Sequence, residues 1–186
     1  MMDNKNTKKI ALSAILSATG VILLFFGSLV EVLDLSSAAA AGFVVVVAVI
    51  ELGKSYPVMI YFAVSVLSFL TLPNKFPALF FIFFGGLYPI FKYYFERFHP
   101  AVAWALKFSM FNIFLAFMIL SVNFLVGRGV LSLSGEGYLS DFFGNFKIVV
   151  FLLANFVFLL YDIAMTGVIN LYIIKIRKIM GFKNFF

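Results

Sequence analysis

Two ionisable residues lie inside long apolar stretches, and they are the first candidates for chemistry. Asp162 falls near the middle of NFVFLLYDIAMTGVIN, and Lys107 lies within the apolar run before it. Charged groups are costly in hydrocarbon unless they are paired or hydrated, so such residues suggest function. An Asp162–Lys107 ion pair is one candidate, because lysine has a long side chain. Both a structural tie between two helices and a substrate-linked role for Asp162 are open.

Three asparagines in the same two runs extend this candidate site. Asn155 precedes Asp162 by seven residues, which places both on one face of a helix. Asn112 and Asn123 lie on the preceding run and are possible partners for that face. These asparagines extend the polar surface around Asp162, whose role is either structural or substrate-linked.

The longest polar segment, residues 127–147, supplies the other candidates. It carries Arg128, Glu136 and Tyr138, and five glycines occur among its 21 residues. Loops of more than about 15 residues are usually functional or disordered, and glycines give the mobility that a lid needs. We expect this segment to form a lid over a cavity, with Arg128, Glu136 and Tyr138 of the lid binding the substrate. A passive hairpin is the alternative.

Motifs for catalysis or metal binding are weak in this sequence. The stretch AVIELGKS at 48–55 fits a loose phosphate-loop pattern, but the residues before it are apolar and Pro57 follows at once, so a turn between helices is predicted. His99 is the only histidine and there are no cysteines. No Ser/His/Asp set can be assembled on one side of a membrane. We therefore expect neither an enzyme nor a metal or cofactor site.

The composition of the chain indicates the kind of helices that carry these candidate residues. Of the 186 residues, 64% are hydrophobic and 12% are charged, with a mean hydropathy of +1.12. A soluble domain has about half apolar and a quarter charged residues. Six apolar runs, each near the length of about 20 residues that spans a bilayer, predict one all-α polytopic membrane domain over residues 1–186. The predicted helices cover about 10–30, 35–52, 56–72, 76–95, 101–126 and 148–174.

Basic residues predict the orientation of this six-helix bundle. Most lysines and arginines in the flanks fall on the side of the N-terminus, and Lys92 is counted among them. The opposite side holds only Lys75, Arg128 and Lys147. The positive-inside rule then places both termini in the cytoplasm and the 127–147 loop outside, in the cell inner (plasma) membrane. Basic loops also explain the net charge of +6 without nucleic acid as a partner.

The start of the chain, KKIALSAILSATGVILL, resembles the first helix of the substrate-binding S components of energy-coupling-factor (ECF) transporters. Those proteins begin with a basic pair and an apolar helix that bears an alanine-x-x-x-alanine motif. Ala14 and Ala18 match this motif, and Ala11 extends the small face. The resemblance implies that this face docks on a transmembrane coupling protein driven by ATPase subunits. It also implies that a vitamin or similar small molecule binds in the outer half, under the 127–147 loop, at a site to which Asn123 and Asn155 would contribute.

A second family has a related layout and keeps another function open. The MreD family of cell-elongation proteins is similar in size and uses its helices to bind partners without transport. The two hypotheses differ in what they predict for the interior. A capture subunit needs an enclosed outer cavity lined by a few polar side chains. A membrane scaffold has a filled interior, an Asp162 bonded only to neighbouring helices, and no ligand.

Overall fold

The computed structural model describes residues 4–53, 55–126 and 139–176. Side chains are described for residues 6–30, 32–53, 55–118, 149 and 151–175. The described residues form six helices in a polytopic arrangement, as predicted, and no strand occurs among them. Five of the helices are long and apolar enough to cross a membrane.

The helices are numbered here in chain order. Helix α1 covers Asn4–Leu29, α2 covers Asp34–Leu52 and α3 covers Tyr56–Thr71. Helix α4 covers Phe76–Phe95, α5 covers Pro100–Val126, and α6 covers Leu139–Leu171 and continues as a π turn over Tyr172–Ile176. Helix α3 has 16 residues, or about 24 Å at 1.5 Å per residue, which is shorter than the hydrocarbon core.

Each connection between helices has a local cause. Pro57 and Pro77 lie in the first turns of α3 and α4, where a missing amide hydrogen is tolerated. Gly53 ends α2 with a φ of 85°, a conformation that favours glycine. Residues 48–52 of the phosphate-loop pattern therefore belong to the end of α2, and Gly53 and Ser55 lie in the turn between α2 and α3, as predicted.

Two ends of the bundle are distinguished below. The basic end holds the start of α1, the turn after Leu52 and the link between α4 and α5. The far end holds the links from α1 to α2 and from α3 to α4. Asn74 ties the two far-end links together, because its amide donates to the carboxylate of Asp34 at 3.2 and 3.3 Å.

Helices α1 to α4 form the tightly packed half of the molecule. Its buried centre includes Leu24 of α1, Val45 of α2, Val64 of α3 and Phe81 of α4. A second apolar cluster joins α2 and α4 to α5 and α6 through Val46, Tyr88, Met110, Phe158 and Met165. The candidate site lies where α4, α5 and α6 meet.

Helix α4 is interrupted by a π segment, Phe81–Gly85, between α-helical parts Phe76–Phe80 and Leu87–Phe95. Gly85 allows the backbones of α2 and α4 to touch, since a Cβ there would lie 2.6 Å from the Ala38 carbonyl oxygen. The hydroxyl of Tyr61 donates to the Ile82 carbonyl at 3.0 Å. Such π segments are frequent at functional sites. The Gly85-Gly86 pair thus serves close packing beside a local change in helix geometry.

Helix α6 begins at Leu139, before the predicted start at Ile148. The polar residues of LSDFFGNFK suggest a loop, but Leu139, Phe142, Phe143 and Phe146 follow the spacing of one helix face. A single glycine costs a helix only about 1 kcal/mol, so Gly144 does not end it. The rest of the predicted 127–147 loop, residues 127–138, lies outside the described residues.

Candidate functional site

An ionic cluster joins α4, α5 and α6 near the basic end. Lys107 of α5 contacts Asp162 of α6, with its Nζ 3.0 Å from Oδ2 and 3.2 Å from Oδ1. Lys92 of α4 pairs with the same carboxylate through Oδ1. The ion pair between Asp162 and Lys107 that the sequence suggests is therefore formed, and a second lysine shares the carboxylate.

Polar neighbours complete the cluster. The Tyr88 hydroxyl donates to Asp162 Oδ1, and Lys92 Nζ donates to the Thr166 hydroxyl at 2.9 Å. Glu96 Oε1 lies 2.8 Å from Lys92 Nζ and 3.2 Å from Lys107 Nζ. The ionic cluster is defined here as Tyr88, Lys92, Glu96, Lys107, Asp162 and Thr166.

Burial and charge balance describe what this cluster can do. Lys92, Lys107 and Asp162 are only 2%, 5% and 3% exposed, whereas Glu96 lies at the surface of the basic end. Two lysines face two carboxylates, so the charges compensate one another. Removal of either partner from a buried ion pair lowers the stability of the protein, because the remaining charge would be uncompensated. The arrangement fits a tie that holds three helices together.

An aromatic layer covers the ionic cluster on the side of the far end. It consists of Phe84 and Tyr88 of α4, Phe111 of α5, and Phe158 and Tyr161 of α6. Phe111 and Phe158 stack with ring centroids 4.5 Å apart, and Tyr88 meets Phe158 edge to face at 5.4 Å. Phe84 contacts Tyr161 at 5.0 Å. These rings separate the charges from the space beyond them.

A cavity of about 270 Å³ lies beyond the aromatic layer, in the half of the bundle near the far end. Its wall comes from the start of α2, the π segment of α4, and the facing parts of α5 and α6. The lining side chains are apolar, whereas a few polar ones are expected of a capture subunit; the hydroxyl of Tyr161, whose ring belongs to the wall, is itself buried. They include Ala39, Phe83, Phe84, Leu115, Ala154 and Phe158. The volume is close to the lower limit of ordinary ligand pockets, about 300 Å³.

Two asparagines connect α5 to α6 beside this cavity. Asn112 Nδ2 donates to Asn155 Oδ1 at 3.1 Å, and Asn155 Nδ2 donates to Asn112 Oδ1 at 3.3 Å. Each amide also donates to a backbone carbonyl of its own helix, at 2.8 and 2.9 Å. The pair satisfies amide groups that would otherwise be costly in an apolar environment.

The structure brings only some of the predicted binding residues together. Asp162 lies in the ionic cluster, and Asn155 pairs with Asn112; neither is among the residues that line the cavity. Asn123 belongs to α5, but its side chain is outside the described part of the chain. Arg128, Glu136 and Tyr138 lie outside the described residues altogether.

The predicted coupling face lies on the outside of α1. Ala11, Ala14 and Ala18 are exposed, and α1 packs on the bundle instead through the face that carries Leu12 and Leu16. Gly20 also faces inward, since a Cβ there would lie 3.1 Å from Val64 Cγ2. The described helices therefore leave the three alanines uncovered.

Sequence reasoning missed Lys92, Glu96 and Tyr88 as members of the cluster. The sequence places Lys92 in the basic flank, but its side chain is buried and reaches toward α6. One signal was available, because Tyr88, Lys92 and Glu96 are spaced by four residues and so share a helix face. The cavity had no sequence signal, because its walls have the same residue types as a filled core.

The chain matches no known protein family, and no curated protein or solved structure shows detectable similarity to it. Its function is therefore inferred from the ionic cluster, the cavity and the uncovered face of α1.

Proposed function

We propose that this protein is the substrate-capture subunit of an ATP-driven importer of the ECF type in the cell membrane. The cavity near the far end is the observation that carries the proposal. A capture subunit needs a space for its substrate in the half of the bundle that faces outward. The positive-inside rule supports an orientation in which the basic end faces the cytoplasm. The half of the bundle that contains the cavity then faces outward.

The uncovered face of α1 supports the second part of the proposal. Small residues allow two membrane helices to approach closely, and Ala11, Ala14 and Ala18 present such a surface without a helix of the described chain across it. The face lies in the half of α1 near the basic end, where a partner moved by cytoplasmic ATPases would act. We assign this face to a transmembrane coupling protein.

Leucine substitutions on α1 test this function. Ala14→Leu and Ala18→Leu enlarge the exposed face without changing the cavity, so the purified variants are expected to keep the small molecule bound to the wild-type protein. Cellular uptake of that compound, once mass spectrometry has identified it, is expected to fall to the level of cells that lack the protein. Ala164→Leu, at an exposed position on α6, is the matched control and should leave uptake unchanged.

Two results would contradict the capture function. One is normal uptake by the Ala14→Leu and Ala18→Leu variants, which would remove the assigned role of the α1 face. The other is wild-type protein that carries no small molecule after mild purification.

A membrane scaffold of the cell-envelope machinery, similar to the MreD family, is the second candidate. It is favoured by one specific observation, since both Asp162 oxygens are bound by side chains of neighbouring helices. The cavity is the observation against it. A scaffold is expected to keep its function in cells when the cavity is filled by Ala154→Phe, whereas a capture subunit is expected to lose it.

A further inference from the structure

Helix α6 leaves one of its faces uncovered by the described helices. It packs on the bundle through the opposite face, where Phe158, Asp162 and Met165 are buried. The uncovered face carries exposed residues that follow one another at alternating spacings of four and three, which places them in one row along a helix. This row is called the α6 seam here and consists of Phe156, Leu160, Ile163, Gly167 and Asn170. The same spacing lines the contact between two helices that cross at a small angle.

Asn170 is the polar residue of the α6 seam. It belongs to the membrane-spanning segment Phe151–Lys175 and lies about 7–8 Å from Lys175 along the helix, at 1.5 Å per residue. Its side chain is exposed, and its amide makes no hydrogen bond to another side chain in the described part of the chain. Lipid chains offer an amide neither a donor nor an acceptor, so its exposure to them is costly. A partner that offers both would remove this cost.

The bundle itself shows how this protein satisfies an asparagine between two helices. Asn112 and Asn155 donate to each other across α5 and α6, at 3.1 and 3.3 Å. Such a pair forms because an amide carries a donor and an acceptor and is therefore complementary to a second amide. Asn170 has the same chemistry, so a second Asn170 fits it.

The remainder of the α6 seam also matches a second copy of the chain. Its other members are apolar, so a partner needs no charged group to match it. Gly167 allows a close approach, because even an added Cβ there would meet no atom within 4 Å. Two copies that both follow the positive-inside rule insert in the same direction, so their α6 helices run parallel. Around a two-fold axis between them, each seam residue then meets its own counterpart.

We propose that the α6 seam binds the α6 seam of a second copy, in a parallel dimer whose two Asn170 amides hydrogen-bond to each other. Helix α1 packs in the other half of the molecule, against α2, α3 and α4. The dimer therefore leaves the face of Ala11, Ala14 and Ala18 free. It goes beyond the proposed capture function and is measured without a ligand or uptake.

Energy transfer between copies of the full chain in lipid vesicles tests the dimer. The sequence has no cysteine, so Phe98→Cys in the exposed link between α4 and α5 gives a single labelling site. Donor-labelled and acceptor-labelled protein are mixed over a series of protein-to-lipid ratios. Transfer is expected to exceed that of random mixing and to rise linearly with the acceptor fraction, as a dimer requires. Asn170→Leu is expected to raise the dissociation constant about tenfold, as the loss of hydrogen bonds between membrane helices would give.

Three further variants in this labelled background separate the amide from packing. Asn170→Gln keeps an amide and should stay within about threefold of the parent dissociation constant. Gly167→Leu holds the two helices apart and should reduce transfer to the level of random mixing. Ala164→Leu, at an exposed position beside the seam, is its matched control and should leave transfer unchanged.

Single cysteines identify the face through which the copies meet. Under mild oxidation in the vesicles, Ile163→Cys in the seam is expected to form a disulfide-linked dimer, and Val168→Cys, exposed on another side of α6, is expected to remain monomeric. Transfer no greater than random mixing for the parent protein, or equal dissociation constants for it and Asn170→Leu, would overturn the proposal. So would faster cross-linking at position 168 than at position 163.

Discussion

Phe158 and Asp162 lie one turn apart on α6, yet they belong to regions of opposite character. Around Asp162, two lysines, a tyrosine and a second carboxylate fill the space and satisfy one another. Around Phe158, the aromatic layer borders a cavity of about 270 Å³ whose lining residues carry no charge. The comparison indicates that the polar residues hold the helices together, while the apolar space is left unfilled by side chains.

This difference reverses the usual expectation for membrane proteins. Intramembrane charges are taken first as functional sites, and Asp162 is the obvious candidate in this sequence. Its carboxylate is instead occupied by Lys92, Lys107 and Tyr88 within the protein. The four predictions below test the contrast between the ionic cluster and the cavity.

The largest effect is expected from breaking the ionic cluster. Asp162→Asn leaves Lys92 and Lys107 buried without their shared carboxylate, which should cost about 3–5 kcal/mol of unfolding free energy. Unfolding in mixed detergent micelles, followed by circular dichroism, measures this loss. Trp104, the only tryptophan, has its ring centroid 5.1 Å from Lys107 Nζ, so its fluorescence should change as well.

A double variant separates lost charge balance from lost packing. Asp162→Asn combined with Lys107→Met removes one charge of each sign and should recover part of the stability of the single variant. Stability of the Asp162→Asn protein equal to that of the wild type would show that the ionic cluster does not hold the bundle together.

The next effect is expected where the cavity wall depends on close backbone contact. Gly85→Ala places a Cβ 2.6 Å from the Ala38 carbonyl oxygen and forces α2 and α4 apart. Such overpacking costs about 1–3 kcal/mol of unfolding free energy. Gly167→Ala is the control on α6, because a Cβ there meets no atom within 4 Å, and it should be neutral or slightly stabilising. Equal stabilities of the two variants would contradict this contact.

Filling the cavity should have a smaller effect of the opposite sign. Ala154→Phe places a ring in apolar space and should raise the unfolding free energy of ligand-free protein by about 0.5–2 kcal/mol, as cavity filling often does. Ala164→Phe, at an exposed position on the same helix, should change it by less than about 0.5 kcal/mol. A clear loss of stability in Ala154→Phe would indicate a filled interior and favour the scaffold.

The smallest effect is expected for the asparagine pair beside the cavity. A double-mutant cycle of Asn112→Ala and Asn155→Ala should give a coupling free energy of about 0.6 kcal/mol, typical of hydrogen bonds within membranes. Additive effects of the two substitutions would mean that the amides do not interact. This cycle sharpens the contrast, because the asparagines join helices as the ionic cluster does but carry no charge.

The sequence predicts the six helices well because long apolar runs have few solutions in a bilayer. It also indicates the Asp162–Lys107 pair, because two opposite charges in neighbouring apolar runs are each costly when unpaired and favour an ion pair. It does not indicate the role of Lys92, because a long side chain near a helix end can reach either water or the interior. Helix spacing alone did not show that the π segment at Phe81–Gly85 would form part of a cavity wall.

Mass spectrometry of the mildly purified protein tests the central claim, that the cavity is a ligand site, most directly. The wild type and Ala164→Phe are expected to carry the same small molecule in nearly equimolar amount, and Ala154→Phe is expected to carry none. Wild-type protein without a bound compound, or an equal amount of compound on Ala154→Phe, would contradict the claim.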